Sequence, residues 1–130
     1  MRRVSAALAL ALAACFSVHE PSDGVAAIDC ARAREAPGPD TAFVRIEGFA
    51  FHPAALEVAE GTTVIWVNCE AEDTVPHTTS GDAWDSPSLA PGDHFAVDPP
   101  AGTHDYACRP HPFMQGRVTV SAAQLRRSRR

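Results

Sequence analysis

A chain of 130 residues, 45% apolar and 21% charged, has room for one hydrophobic core, which excludes two domains and any fold built on a long βαβ series. Its net charge of −5 argues against nucleic acid as a partner, which would call for a basic footprint.

The chain opens on Met1-Arg2-Arg3 and then an apolar run over 4–14, interrupted only by Ser5. A basic start and a short apolar stretch predict a signal peptide over residues 1–14. The run is too short to span a bilayer as a helix. It ends in Leu12-Ala13-Ala14-Cys15, which resembles the bacterial lipobox and implies cleavage before Cys15 with lipid on its sulfur. The alternative is an ordinary signal peptide beside a chance cysteine. Both export the protein, so the expected location is periplasmic, or membrane-anchored through Cys15.

Residues 15–40 are rich in Ala, Pro, Asp, Glu and Gly and close on Pro37-Gly38-Pro39. Such a composition predicts a flexible tether. A folded domain fits residues 41–120, followed by a basic tail over 121–130 that ends in Arg126-Arg127-Ser128-Arg129-Arg130. A terminal arginine run is ordinarily solvated; contact with anionic headgroups or an acidic partner is the alternative. Within 41–120, eleven Asp or Glu residues stand against Arg45, Arg109 and Arg117. That acidity suits a basic protein partner, or serves solubility alone.

Within the domain the strand signals come in sequence. Phe43-Val44-Arg45-Ile46 is a short strand, and Leu56-Glu57-Val58 alternates as a half-buried one does. Thr63-Val64-Ile65-Trp66-Val67-Asn68 is β-branched and aromatic, which predicts a central strand. After the turn Ala90-Pro91-Gly92-Asp93 comes His94-Phe95-Ala96-Val97. Gly102 opens a strand in which Thr103, Asp105 and Ala107 alternate against His104, Tyr106 and Cys108. Arg117-Val118-Thr119-Val120 is the last. Prolines interrupt every helical candidate. Short strands at intervals of about ten residues predict an all-β Greek-key sandwich of seven to eight strands. Trp66, Phe43, Val64, Val118 and Tyr106 are expected in its core, and Trp84 is a loop residue, at the surface or against a partner.

Between the last two strands stands Cys108-Arg109-Pro110-His111-Pro112-Phe113-Met114. Three side chains able to bind a soft metal fall within seven residues, on a loop whose ends a sheet would hold. One further imidazole completes two nitrogens and a thiolate, with a thioether as weak axial ligand, which is the blue-copper arrangement. His77 is the best candidate. It follows the Trp66 strand and a turn-like stretch. His19 lies in the tether, His52 between Phe51 and Pro53, and His94 and His104 within strands.

Four cysteines are present. With Cys15 assigned to lipid and Cys108 to metal, Cys30 and Cys69 remain, and in an exported protein a leftover pair suggests a disulfide. Spacing does not show that the two sulfurs meet.

These stretches resemble the plastocyanin-like cupredoxins, and among them the amicyanins, whose ligand loop has the same short spacing. The resemblance rests on Phe51-His52-Pro53, on 61–68, on Pro76-His77-Thr78, on Pro91-Gly92, on 102–108 and on Pro110-His111-Pro112-Phe113-Met114-Gln115-Gly116. It implies a cupredoxin sandwich with one type 1 copper held by His77, Cys108, His111 and Met114. Cys108 would bind as thiolate, the two histidines as neutral imidazoles, and Met114 as the long axial ligand. It also implies an electron port at the exposed edge of His111, within an apolar collar of Pro110, Pro112, Phe113 and Pro53. Thr78 and Asn68 are candidates to orient the ligands by hydrogen bonds. The chain departs from the family at His104, where an aromatic residue is common, at Arg109, where a small polar residue is usual, and in the unusually acidic stretch over 70–75; none of these is expected to touch the ligand set. Arg109 would either raise the reduction potential or point to solvent.

The function expected is a monomeric one-electron carrier, not an enzyme, that exchanges electrons with a redox donor and acceptor. The alternative is a module that delivers or scavenges copper with the same four residues. Catalysis would call for an open coordination position or a second ligand cluster, and the sequence offers neither.

Overall fold

A computed structural model describes residues 28–71 and 76–122. After one turn of 3-10 helix at Arg32–Arg34 come eight strands: β1 (Thr41–Ile46), β2 (Phe51–His52), β3 (Ala55–Ala59), β4 (Thr63–Asn68), β5 (Ser80–Gly81), β6 (His94–Val97), β7 (Gly102–Ala107) and β8 (Gln115–Ser121). They form two four-stranded sheets, ordered β2-β1-β4-β6 and β3-β8-β7-β5. β1 lies parallel to β4, and β3 parallel to β8; the remaining pairs are antiparallel. The all-β sandwich expected from the strand spacing is the observed architecture. The two-residue strands β2 and β5 carry too little sequence to show a period.

Strand period decides what is buried. In β1 the residues Ala42, Val44 and Ile46 are buried and their neighbours are not. In β3, Leu56 and Val58 are half-buried between exposed neighbours. The inward residues of both sheets make one core, in which Trp66 meets Trp84 at 5.1 Å and Tyr106 at 5.4 Å between ring centroids. Trp84 therefore belongs to the interior rather than to the surface. Its indole N–H donates to Thr79 Oγ1 at 3.0 Å, which satisfies the polar end of an otherwise apolar ring.

β4 is buried on both faces from Val64 to Asn68. Val64 and Trp66 point between the sheets, whereas Ile65 and Val67 point outward and pack with Ala33, Ile28, Cys30, Phe43 and Cys69. The segment over 28–40 thus lies on the outer face of the sheet, where composition alone predicts tether. A Cys30–Cys69 disulfide closes it there. Keeping Ile65 and Val67 dry contributes about 1.5–3 kcal/mol for each fully buried side chain. Phe43 packs in this outer cluster rather than between the sheets. The predicted signal peptide, the start of the tether and the arginine tail lie outside the described residues.

Register brings the functional segments to one end. Ile46 pairs with Asn68, so the parallel strands β1 and β4 finish side by side. Ala107 pairs with Gln115, so the ladder of β7 and β8 closes across residues 108–114. The β1–β2 turn and the segment carrying His77 leave from the ends of β1 and β4, and the Cys108 loop leaves from the end of β7.

Candidate metal centre

Cys108 follows the last residue of β7 on the buried side of the alternation, so its sulfur points inward, and it is the free cysteine of the described residues. Its backbone N–H donates to the Met114 carbonyl at 3.0 Å, and the Met114 N–H donates to the His111 carbonyl at 2.8 Å. These two bonds fold the seven-residue loop back on itself. Met114 is buried, while His111 is only partly covered.

His77 lies between β4 and β5, outside both sheets. Its backbone pairs with Leu89 in both directions, at 3.1 and 2.8 Å, and its side chain is fully buried. Asn68 supports that pairing. Its side-chain amide donates to the Leu89 carbonyl at 2.8 Å, and its side-chain oxygen accepts from the Glu70 N–H at 3.0 Å.

The three donors converge. Cys108 Sγ lies 3.7 Å from His77 Nδ1 and 3.5 Å from His111 Nδ1. All three ligand atoms fall within 4.8 Å of one another, close enough for one ion to touch each. Two imidazole nitrogens and a sulfur form a soft, nitrogen-containing set that suits copper. Thr78 donates its backbone N–H to Cys108 Sγ at 3.4 Å, and its hydroxyl accepts from the Arg109 N–H at 2.9 Å. His52 and His104 instead bond the carbonyls of Glu47 and Pro100, and His94 is exposed on β6.

A model of the copper-binding proteins of the plastocyanin/azurin family matches residues 41–121. The chain belongs to that family. It is 34% identical over 117 residues to amicyanin-alpha of Methylorubrum extorquens, which covers 86% of this chain and 98% of that protein. Amicyanin of Paracoccus denitrificans is 30% identical over 110 residues, covering 81% and 72%. Among solved structures, a reduced amicyanin variant superposes with a TM-score of 0.57 at 31% identity, over 63% of this chain and 83% of that one. A purple cupredoxin from Nitrosopumilus maritimus gives 0.55 at 31% identity, over 61% and 98%. The protein is therefore an amicyanin-like cupredoxin, and copper is its cofactor.

Two residues at this cupredoxin's site were not expected there: Phe49, and Glu70, whose acidic stretch was expected to leave the ligand set untouched but which reaches His77. Glu70 places a carboxylate oxygen 3.2 Å from His77 Nε2 and also accepts from the backbone N–H groups of Gly48 and Phe49, at 3.0 and 2.7 Å. Burial works to raise the Glu70 pKa, but the Phe49 and Gly48 N–H groups and the His77 ring outweigh it and hold the acid below its ordinary range. Burial likewise lowers the His77 pKa; the Glu70 carboxylate pulls back against it, and nearby His111 adds to the lowering. Phe49 sets its ring edge-on to both imidazoles, with centroids 5.2 Å from His77 and 5.2 Å from His111. Gly48 and Phe49 both have positive φ, 63° and 55°. For a bulky residue such as Phe49 that conformation costs about 1–2 kcal/mol. A carboxylate bridging a turn to a histidine leaves no sequence signature. The one available hint was an acidic residue soon after the Trp66 strand.

Arg109 points its guanidinium away to the side. It pairs with Asp85 at 3.1 Å and donates to the Ser86 carbonyl at 3.0 Å. Pro53 lines a cleft of about 610 Å³ with Ala33, Phe43 and Leu56.

Proposed function

We propose that the protein is a one-electron carrier working outside the cytoplasm, with a single type 1 copper held by His77, Cys108, His111 and Met114. The observation that carries the reading is the approach of Cys108 Sγ to the Nδ1 atoms of His77 and His111, at 3.7 and 3.5 Å. When bound, the copper supplies the one-electron couple. The protein's part is to hold the donors still. The Cys108–Met114 and Met114–His111 backbone bonds, with the Thr78 N–H on the sulfur, limit how far the donors shift between oxidation states. The His111 ring is partly exposed among Pro110, Pro112 and Phe113, and Phe113 is 70% exposed. That collar gives electrons a short way out and gives a partner an apolar surface to cover. The acidic surface favours a basic redox partner.

The Cys30–Cys69 disulfide supports export, because such bonds persist in oxidising compartments. Lipid on Cys15 would keep the carrier at a membrane surface, and the domain would act as a monomer. Catalysis is not proposed, since His77, Cys108, His111 and Met114 would all be taken up in holding the one ion, and no second such ligand group stands among the described residues.

The test is to add Cu(II) to the reduced, metal-free protein. An intense thiolate-to-copper absorption band is expected, absent in Cys108→Ser. Electron exchange with redox proteins is then compared with Cu(I) transfer to a chelating acceptor. Preferential release of Cu(I) would replace the carrier by a copper-delivery module. No band with Cys108 reduced would overturn the copper assignment. Mass measurement of the mature protein decides the lipid.

A further inference from the structure

We propose that Glu70 is a positioning residue for the copper site: its one carboxylate fixes the buried ligand His77 and, through the Gly48–Phe49 turn, the aromatic ring that lies against both histidines. The inference rests on the copper reading above.

Glu70 is held by three N–H groups from two segments. Gly48 and Phe49 donate from the β1–β2 turn at 3.0 and 2.7 Å, and the His77 ring nitrogen stands at 3.2 Å. The Glu70 side chain is only 7% exposed. His77 turns Nδ1 toward Cys108, so Nε2 is the ring atom left for Glu70. With Nδ1 as the donor to metal, Nε2 carries the proton and donates to the carboxylate. Such a bond locks the tautomer and ring orientation and makes the imidazole a stronger electron donor. A stronger donor beside a negative charge favours the more positive oxidation state, so Glu70 lowers the reduction potential.

The turn explains why the carboxylate is placed there. Gly48 and Phe49 hold positive φ, and both expose their N–H groups on one side, where Glu70 takes them. The carboxylate thus compensates a conformation that a phenylalanine would otherwise avoid. The Phe49 ring is held edge-on to both imidazoles as a result. Glu70 itself follows Cys69, which the disulfide ties to Cys30, so the carboxylate is anchored from behind.

The experiment has two arms. In the first, copper-loaded Glu70→Gln is compared with the wild-type protein. Glutamine keeps the shape but has one acceptor oxygen for three N–H groups. At a fixed solution potential the Cu(I) to Cu(II) ratio should rise about tenfold, equal to about 59 mV. A thiolate-to-copper band that persists with an unchanged potential overturns the proposal. In the second, amide hydrogen exchange and ring-nitrogen NMR shifts are measured on the metal-free protein. Wild-type Gly48 and Phe49 amides should be protected, His77 should carry its proton on Nε2, and Glu70→Ala should speed exchange at both amides about tenfold or more. Unprotected wild-type amides, or a proton on His77 Nδ1, overturn it even if neither variant folds. If the wild-type protein takes no copper, the copper reading fails and the effect of Glu70 on the potential falls with it, while the second arm still decides whether the carboxylate fixes His77 and the Gly48–Phe49 turn.

Discussion

Thr78 donates its backbone N–H to the sulfur of Cys108 at 3.4 Å, so the segment bearing His77 is joined to the Cys108 loop at the sulfur itself. The Thr78 hydroxyl makes a second tie by accepting from the Arg109 N–H at 2.9 Å. Replacing Thr78 with Val keeps the shape and removes that acceptor. The Arg109 N–H then loses its protein partner in a part-buried bond, at a cost of about 0.5–1.5 kcal/mol. Urea unfolding of the metal-free protein measures it, and an unchanged midpoint counts against the tie.

The Cys30–Cys69 bond closes a loop with a sequence separation of 39. Chain entropy assigns such a crosslink about 4 kcal/mol. Cys30→Ala with Cys69→Ala should lose roughly 2–5 kcal/mol and open the outer face over Ile65 and Val67. Unfolding curves with and without reductant, on wild-type and double variant, provide the comparison. The double variant should be insensitive to reductant.

Gly116 lies beneath the Tyr106 ring, and a Cβ built there would stand 2.3 Å from Tyr106 Cζ. The tyrosine is fully packed against Phe51, Trp66 and Trp84, so it cannot retreat. Gly116→Ala should therefore destabilise by about 1–3 kcal/mol or more through overpacking. Gly116→Ala combined with Tyr106→Leu should recover part of the loss, which a plain strand-propensity effect would not.

Burial pushes the Tyr106 phenol well above its ordinary value of 10.0, with the Trp66 side chain pulling slightly the other way. The folded value is raised, so the unfolded chain loses its proton first. The contribution is intact below pH 10 and falls away as pH rises beyond it. Ultraviolet titration should show no Tyr106 ionisation until the fold opens, and Tyr106→Phe should flatten the alkaline loss of stability.

Arg117 holds the Asp105 carboxyl below its ordinary value of 3.8, chiefly by a hydrogen bond at 2.6 Å across β7 and β8. A depressed value means the pair contributes above pH 3.8 and is lost as pH falls through the folded value. Carboxyl NMR titration should find Asp105 shifted upward in Arg117→Ala, with little change in unfolding because the pair is exposed.

Much of the fold was legible because period-2 burial is written residue by residue. The β4 and β6 limits match the sequence reading, and the core ends of β1, β3, β7 and β8 lie within a residue or two of it. Legibility failed where burial had a non-local cause. Trp84 sits in no periodic stretch, yet Thr79 and the neighbouring rings bring it inside. The segment over 28–40 reads as tether because its few apolar residues gain cover only from the outward face of β4. In hindsight the unbroken apolar run over 64–67 was the trace of that cover, since a strand with one wet face would alternate.

By itself the sequence determined the local chemistry: the sandwich class, and a cysteine, a histidine and a methionine confined to one short loop. Confinement needs no tertiary knowledge, because seven residues cannot separate far. Only the folded chain decided what distant residues do. It brought His77 to Cys108, closed Cys30 on Cys69, turned Arg109 toward Asp85 and set Glu70 between the Phe49 turn and the buried imidazole. Each of these depends on strand register, and register is set by the packing of both sheets at once.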